Sequence, residues 1–308
     1  MKRGAFACAL TGVVVGRASA QSLVPLRLAG TASDDGAAVL WAMRAGKFRE
    51  AGLDVTYQRV NSGAATAAAV IGGAVDAGKS SLVSLINARA HGVDLRLIAA
   101  GVLFRSDHPD VELVVAPDSP VRTARDLNGK TISVPALNDS NTLATMSWLD
   151  ANGGDARSVQ FLEVTASAAV AALAQGRIAA ATLVRPFLSQ AVAAGQVRVV
   201  ANVFAAIARE FLQTAWFTTA AYAAAHRDAV ERFARVTAAA AAYANTHHDE
   251  TAVALAAFSG VDVATITEAD RGIYATGLDA RQVQPLIDAA ARYGIVPRRF
   301  DAGEMLLR

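Results

Sequence analysis

Between residues 24 and 220, short apolar runs alternate with stretches whose apolar positions recur at helical spacing. Runs at 26–29, 54–60, 75–77 and 95–100 read as strands. The stretches between them predict a helix carrying Val39, Leu40 and Met43 on one face, an Ala-rich helix capped near Ser62, and a helix over 81–90. Strands separated by helices imply right-handed βαβ units on a mostly parallel sheet.

A fifth strand, 112–116, runs into Pro117-Asp118-Ser119-Pro120, and two prolines so close together read as a crossover out of this first set. A second set comes next, with strands at 131–134, 159–164, 178–184 and 197–200. Its helices are expected at 140–149, at 168–174 and after Pro186. The segment 213–218 reads as the return crossover, and the rest of the chain after Ala220 as helix. The longest helix starts near Arg227, with Val230, Phe233, Thr237, Ala240 and Ala244 on one stripe. Asp228/Arg232 and Glu231/Arg235 pair on its solvated face. No internal repeat of solenoid length is visible.

Composition sharpens this picture in two ways. With 308 residues, 53% apolar and 18% charged, the chain has material for two domains and is not disordered. A formal charge of +2 without a basic stripe argues against nucleic acid as a partner.

The first 20 residues carry a charged start (Lys2, Arg3), an apolar stretch from Ala5 to Val15 and a small-residue Ala18-Ser19-Ala20 site. That is the layout of a secretory signal peptide cleaved after Ala20, which places the mature chain outside the cytoplasm. Loss of Lys2, Arg3 and Arg17 takes the formal charge from +2 to −1. It also removes Cys8, the only cysteine, leaving no thiol for a disulfide, a metal site or a nucleophile. No other stretch has the length and apolarity of a membrane span.

Two apparent motifs carry little chemistry. Residues 73–80, GAVDAGKS, match the phosphate-binding P-loop pattern, but an Ala-rich helix rather than a buried strand precedes Gly73. His247-His248-Asp249-Glu250 resembles a metal cluster, yet neighbours on one helix point about 100° apart. The segment reads better as a break between two helices, with Asp249 capping the second. There is no G-x-S-x-G elbow and no H-E-x-x-H, so no catalytic residue, metal or cofactor is expected.

The informative positions are the loops after the strands, because open α/β sheets bind ligands beyond the carboxyl ends of their strands. Five such loops (31–35, 61–66, 79–84, 136–142 and 185–186) are rich in hydroxyl, amide and charged side chains. The candidate ligand-binding residues are Ser33, Asp34, Asp35, Ser62, Thr66, Lys79, Ser80 and Ser81 from the first set of strands. The second set contributes Asn138, Asp139, Ser140, Asn141, Thr142 and Arg185. Lys79, Arg185 and the helix start at 139–142 favour an anionic group. Asp34, Asp35 and Asp139 can instead receive an amine, which makes a zwitterion attractive. Trp41, Trp148 and Trp216 fall near these loops or a crossover, so intrinsic fluorescence is expected to report binding.

Four segments carry a resemblance over nearly the whole mature chain. They are 45–55 (AGKFREAGLDV), 71–78 (IGGAVDAG), 125–134 (RDLNGKTISV) and 172–181 (ALAQGRIAAA). Their order resembles the nitrate/sulfonate/taurine and thiamine-precursor (NMT1/THI5-like) substrate-binding proteins of ABC importers. The resemblance implies a type II periplasmic binding protein fold, α/β, with two lobes joined by two crossover strands. Residues 22–115 plus 211–308 would form lobe 1 and 116–210 lobe 2.

It further implies a monomeric periplasmic protein that captures a small molecule between its lobes and hands it to a membrane permease. The chain departs from the family at Ala179, at Arg185 before Pro186, and at Asn138-Asp139-Ser140-Asn141, where relatives carry a glycine/serine-rich stretch. The family's familiar ligands therefore do not carry over. The alternatives are an enzyme on the same fold acting on a small sulfur or nitrogen compound, or a solute receptor for a sensor. The related enzymes rely on cysteines, which a mature chain starting at Gln21 lacks.

Overall fold

The computed structural model describes residues 22–185 and 187–307. The signal-peptide reading and Cys8 therefore lie outside the described residues. Thirteen strands are formed among them: β1 Val24–Gly30, β2 Leu53–Arg59, β3 Ala77–Ser81, β4 Leu95–Ala100, β5 Val102–Arg105, β6 Val111–Val115, β7 Thr131–Val134, β8 Gln160–Glu163, β9 Ala180–Val184, β10 Arg198–Ala201, β11 Glu210–Leu212, β12 Thr214–Thr219 and β13 Ile273–Tyr274.

They build two five-stranded sheets, in the orders β2-β1-β3-β12-β4 and β10-β6-β9-β7-β8, and a small third sheet, β11-β5-β13. In each large sheet four strands run parallel and one, β12 or β6, runs antiparallel. Read from opposite edges, the two orders are the same, so the two lobes share one topology that no sequence repeat announced.

Alternation along the strands divides each sheet between two cores. Val111, Leu113 and Val115 of β6 enter the same core as Leu82, Leu97, Leu143 and Leu286, while Val114 turns to a separate core with Leu173 and Leu183. Phe217 of β12 joins the first of these and its neighbour Trp216 a third, with Leu26, Leu28 and Phe233. One core therefore spans both lobes, and each lobe keeps a private core behind its sheet.

Several sequence expectations move. The strand expected to close the first lobe, here β6, is hydrogen-bonded to β9 and β10 in the second sheet. The chain thus leaves the first lobe through β5, ahead of Pro117, and the expected 115/116 boundary falls inside the second lobe. The expected return crossover at 213–218 is β12, an interior strand of the first sheet, and the return is made by β11 beside β5. Both strands of the junction are short, and flanking strands of the large sheets hide their signal.

The strand expected at 75–77 begins at Ala77 and runs through Lys79 and Ser80. Asp76 is held outside the ladder by its hydrogen bonds to Arg27. A P-loop is excluded, since its lysine and serine positions lie within a strand. His247 precedes the helix His248–Ser259 and stacks on Tyr243. Asp249 sits within the first turn rather than at the cap. Among the described residues no group of three or more potential ligands is placed for a metal, and no helix is long and apolar enough to cross a membrane.

Candidate functional site

In both lobes the candidate loops follow the carboxyl ends of parallel strands, where open α/β sheets bind ligands. The loop after β1 is built by its own side chains. Thr31 and Ser33 share a hydroxyl contact of 2.8 Å, and Ser33 donates to Asp35 at 2.6 Å. The loop lies close because Gly30 and Gly36 leave room for Tyr57, whose buried hydroxyl has no hydrogen-bond partner. Burial, and then the charge of Asp35, pushes that phenol well above its ordinary range.

Lys79 rises beneath this loop. Only 1% of it is exposed, and its Nζ donates to Asp35, to Ser33 at 2.9 Å and to Thr31 at 3.3 Å. The ammonium is therefore a strut inside the first lobe rather than a free anion receptor. Asp34 turns the other way and receives Arg271, the amide of Gly272 at 2.8 Å and the hydroxyl of Tyr274 at 3.0 Å.

Ser62 and Ser81 cap the helices Gly63–Ile71 and Leu82–Ala90, accepting from Ala65 and Ser84. Thr66 is fully buried against Gly78 and donates to the carbonyl of Ser62. Ser80 is different. Its buried hydroxyl faces Gly63 and finds no partner.

In the second lobe Asn138 adopts φ 57°, the left-handed turn asparagine tolerates, and aims Asp139 at the start of the helix Ser140–Ala151. Asp139 accepts from the amides of Asn141 (2.9 Å) and Thr142 (3.0 Å) and from the Asn141 side chain (2.6 Å). Burial raises its carboxyl pKa against the pull of those donors. The helix start expected to bind an anion already holds its own carboxylate. Thr142 donates to the carbonyl of Ala136, while Ser140 Oγ and Asn141 Oδ1 are buried without partners.

Arg185, at the end of β9, reaches toward the first lobe. Its guanidinium donates to the carbonyl of Pro109 (2.9 Å) and to Ser189 (3.1 Å), and it pairs with Asp270 at 2.7 Å. Asp270 also meets His108 at 3.2 Å. Beside them, Asp110 accepts from Gln213 at 2.8 Å and leaves one buried oxygen unpaired, and burial raises its carboxyl pKa.

Eight of the fourteen candidate residues fall into three groups. Ser80, Ser140 and Asn141 retain unpaired polar atoms, Ser62, Ser81 and Asp139 shape their own helix starts, and Lys79 and Arg185 are paired with carboxylates. Sequence reasoning missed Asp110, Gln213, Asp270, Arg271 and Tyr274. The available signal was Asp270-Arg271-Gly272 ahead of the strand-forming pair Ile273-Tyr274, which the continuous-helix reading overrode. Trp216, expected at the return crossover, lies in β12 of the first sheet. Trp216 is a core residue and Trp41 stacks on Tyr243 within the first lobe.

Two α/β lobes of matching topology, joined by paired crossover strands, define the periplasmic binding protein fold. Residues 34–251 match the family described as NMT1/THI5 like, and the chain belongs to that family. No curated protein matches the chain.

Among solved structures, the periplasmic aliphatic sulphonate binding protein SsuA from Escherichia coli is similar at a TM-score of 0.74 and 20% identity, covering 92% of each chain. The alkanesulfonate-binding protein SsuA from Xanthomonas axonopodis pv. citri, bound to MOPS, is similar at 0.71 and 20% identity, covering 94% of this chain and all of that one. The desulfurization enzyme DszB shares the fold at 0.65 and 14% identity, covering 92% of this chain and 96% of its own.

Proposed function

We propose that this protein is an extracytoplasmic solute receptor that closes its two lobes on a small organic molecule and presents it to the permease of an ABC importer. The observation that carries the reading is the pair of crossovers, β5 and β11, joining two lobes of the same topology whose parallel strands end in polar loops. A ligand touching both lobes favours the closed arrangement, whereas one touching a single lobe leaves that equilibrium unmoved. Family membership and the likeness to two sulfonate-binding proteins support the same reading.

The ligand we favour is zwitterionic. Lys79, Arg185 and Arg271 are each paired with a carboxylate, and the unpaired oxygen of Asp110 adds an acceptor. A lone anion would meet these carboxylates, while an amine beside an acidic group would satisfy both kinds of partner. Ser80, Ser140 and Asn141 supply neutral hydrogen bonds from the two sides.

The competing reading is catalysis, since DszB shares the fold. Against thiol chemistry stands the sequence itself, which has no cysteine after Cys8. Native mass spectrometry of protein purified without denaturation tests the proposal. A retained small molecule carrying both charges, released intact and compacting the protein in small-angle scattering when added back, supports it. A molecule that returns chemically altered establishes an enzyme, and a purely anionic or purely cationic ligand overturns the zwitterion.

A further inference from the structure

We propose that the consecutive residues Asp270 and Arg271 form a clasp that couples the crevice loop of the first lobe to the end of β9 in the second. Asp270 faces outward from the first lobe and pairs with Arg185 of the second at 2.7 Å. His108, on the segment between β5 and β6, meets the other Asp270 oxygen at 3.2 Å. One residue on, Arg271 points inward, with 2% of its side chain exposed, and pairs with Asp34. Asp34 also holds the amide of Gly272 at 2.8 Å and the hydroxyl of Tyr274, and Arg271 donates to that hydroxyl at 3.1 Å.

The two ion pairs share one stretch of backbone, anchored where β13 joins β5. A displacement of Asp34 is therefore transmitted to the carboxylate that grips the other lobe. Asp34 follows β1 in a candidate ligand-binding loop, so an occupant that engages this loop changes how strongly the lobes hold each other. By linkage, the grip between lobes changes the loop's affinity equally. Asp270 and Arg271 are positioning residues that act through Arg185 and Asp34.

The clasp rests on the two-lobe receptor reading, but its test uses the protein with no added small molecule, so the two fail separately. Asp270→Asn keeps the shape and removes the charge. Its radius of gyration in small-angle scattering should exceed that of the wild type, and hydrogen exchange over residues 268–276 should quicken about fivefold. Asp270→Glu should restore both. Arg185→Gln breaks the same pair from the second lobe and gives a second route to the result if one variant does not fold.

Asp34→Asn is the decisive arm, because the hydrogen bonds of Asp34 stay within the first lobe, yet its loss should expand the molecule in the same direction. Asp94→Asn, which breaks ion pairs confined to the first lobe, should leave the radius unchanged. Folded Asp270→Asn and Arg185→Gln with wild-type scattering overturn the clasp. Expansion in those two without expansion in Asp34→Asn overturns the coupling.

Discussion

At the scale of single residues, Lys79 shows how a partner elsewhere in the fold changes the chemistry of a candidate site. A lysine read from sequence in a strand-end loop is a candidate anion receptor, but here the ammonium is enclosed by Thr31, Ser33 and Asp35. Removing one partner of such a buried pair strands the other charge, so Lys79→Met should destabilise the fold by about 3–5 kcal/mol. Adding Asp35→Asn should return part of that loss, giving a clear coupling energy in urea unfolding. Equal and additive losses would show that the two charges do not act as a pair. Asp110 makes the opposite kind of prediction. Burial raises its folded-state pKa, so the folded protein holds its proton more tightly than the unfolded chain does. Its unfavourable contribution is absent below the ordinary carboxylate range and grows as pH rises through the raised value. Asp110→Asn should therefore flatten the fall in melting temperature as pH rises above the ordinary carboxylate range. An unchanged pH profile would show that the carboxyl is not strained by its surroundings.

At the scale of elements, the helix Ser140–Ala151 depends on its first residues more than on amphipathicity, since it is buried on several sides. Asp139→Ala removes the acceptor for two backbone amides and should cost about 1–2 kcal/mol in thermal or chemical unfolding, while Asp139→Ser should cost much less. A full loss in the serine variant would mean that the charge, and not the cap, matters. This helix also shows what the sequence could and could not convey. Its cap, its start and the polar loop ahead of it were legible, because N-capping and periodicity are local properties. The strands of both large sheets were legible for the same reason, within a few residues. The junction was not. β5, β11 and β13 are two to four residues long and gain their identity only by pairing with one another across the chain, as Phe211 does opposite Phe104. The candidate site divides along the same line. Loops that come after strands could be picked out from the sequence, but whether Lys79 or Arg185 was free depended on Asp35 and Asp270. The second of these lies 85 positions away from its partner. Ion pairing at that separation leaves no local signature.

At the scale of the whole molecule, the two lobes share one hydrophobic core. Leu286, in the helix Ala280–Arg292, is fully buried in a cluster with Leu85 of the first lobe, Leu113 and Leu143 of the second, and Phe211 of the return strand. Tyr293, at the end of that helix, donates to Asp150 of the second lobe at 3.0 Å. Two-domain chains usually unfold in more than one step, because each domain closes its own core. Here each lobe has a private core on one side of its sheet only, and the other side of both sheets drains into the shared cluster. Neither lobe should then persist without the other. Leu286→Ala removes atoms from the shared cluster alone and should cost about 3 kcal/mol. The cost should appear equally in the slowest-exchanging amides of β1 and β3 in the first sheet and of β7 and β9 in the second. Hydrogen exchange in rising denaturant measures the opening free energy of each set. If the first sheet weakens while the second keeps its wild-type protection, the lobes are separate folding units and closure involves two independent bodies. Equal weakening means that closing on a ligand must slide one packed surface over another, a shear that limits the lobes to small rotations about β5 and β11.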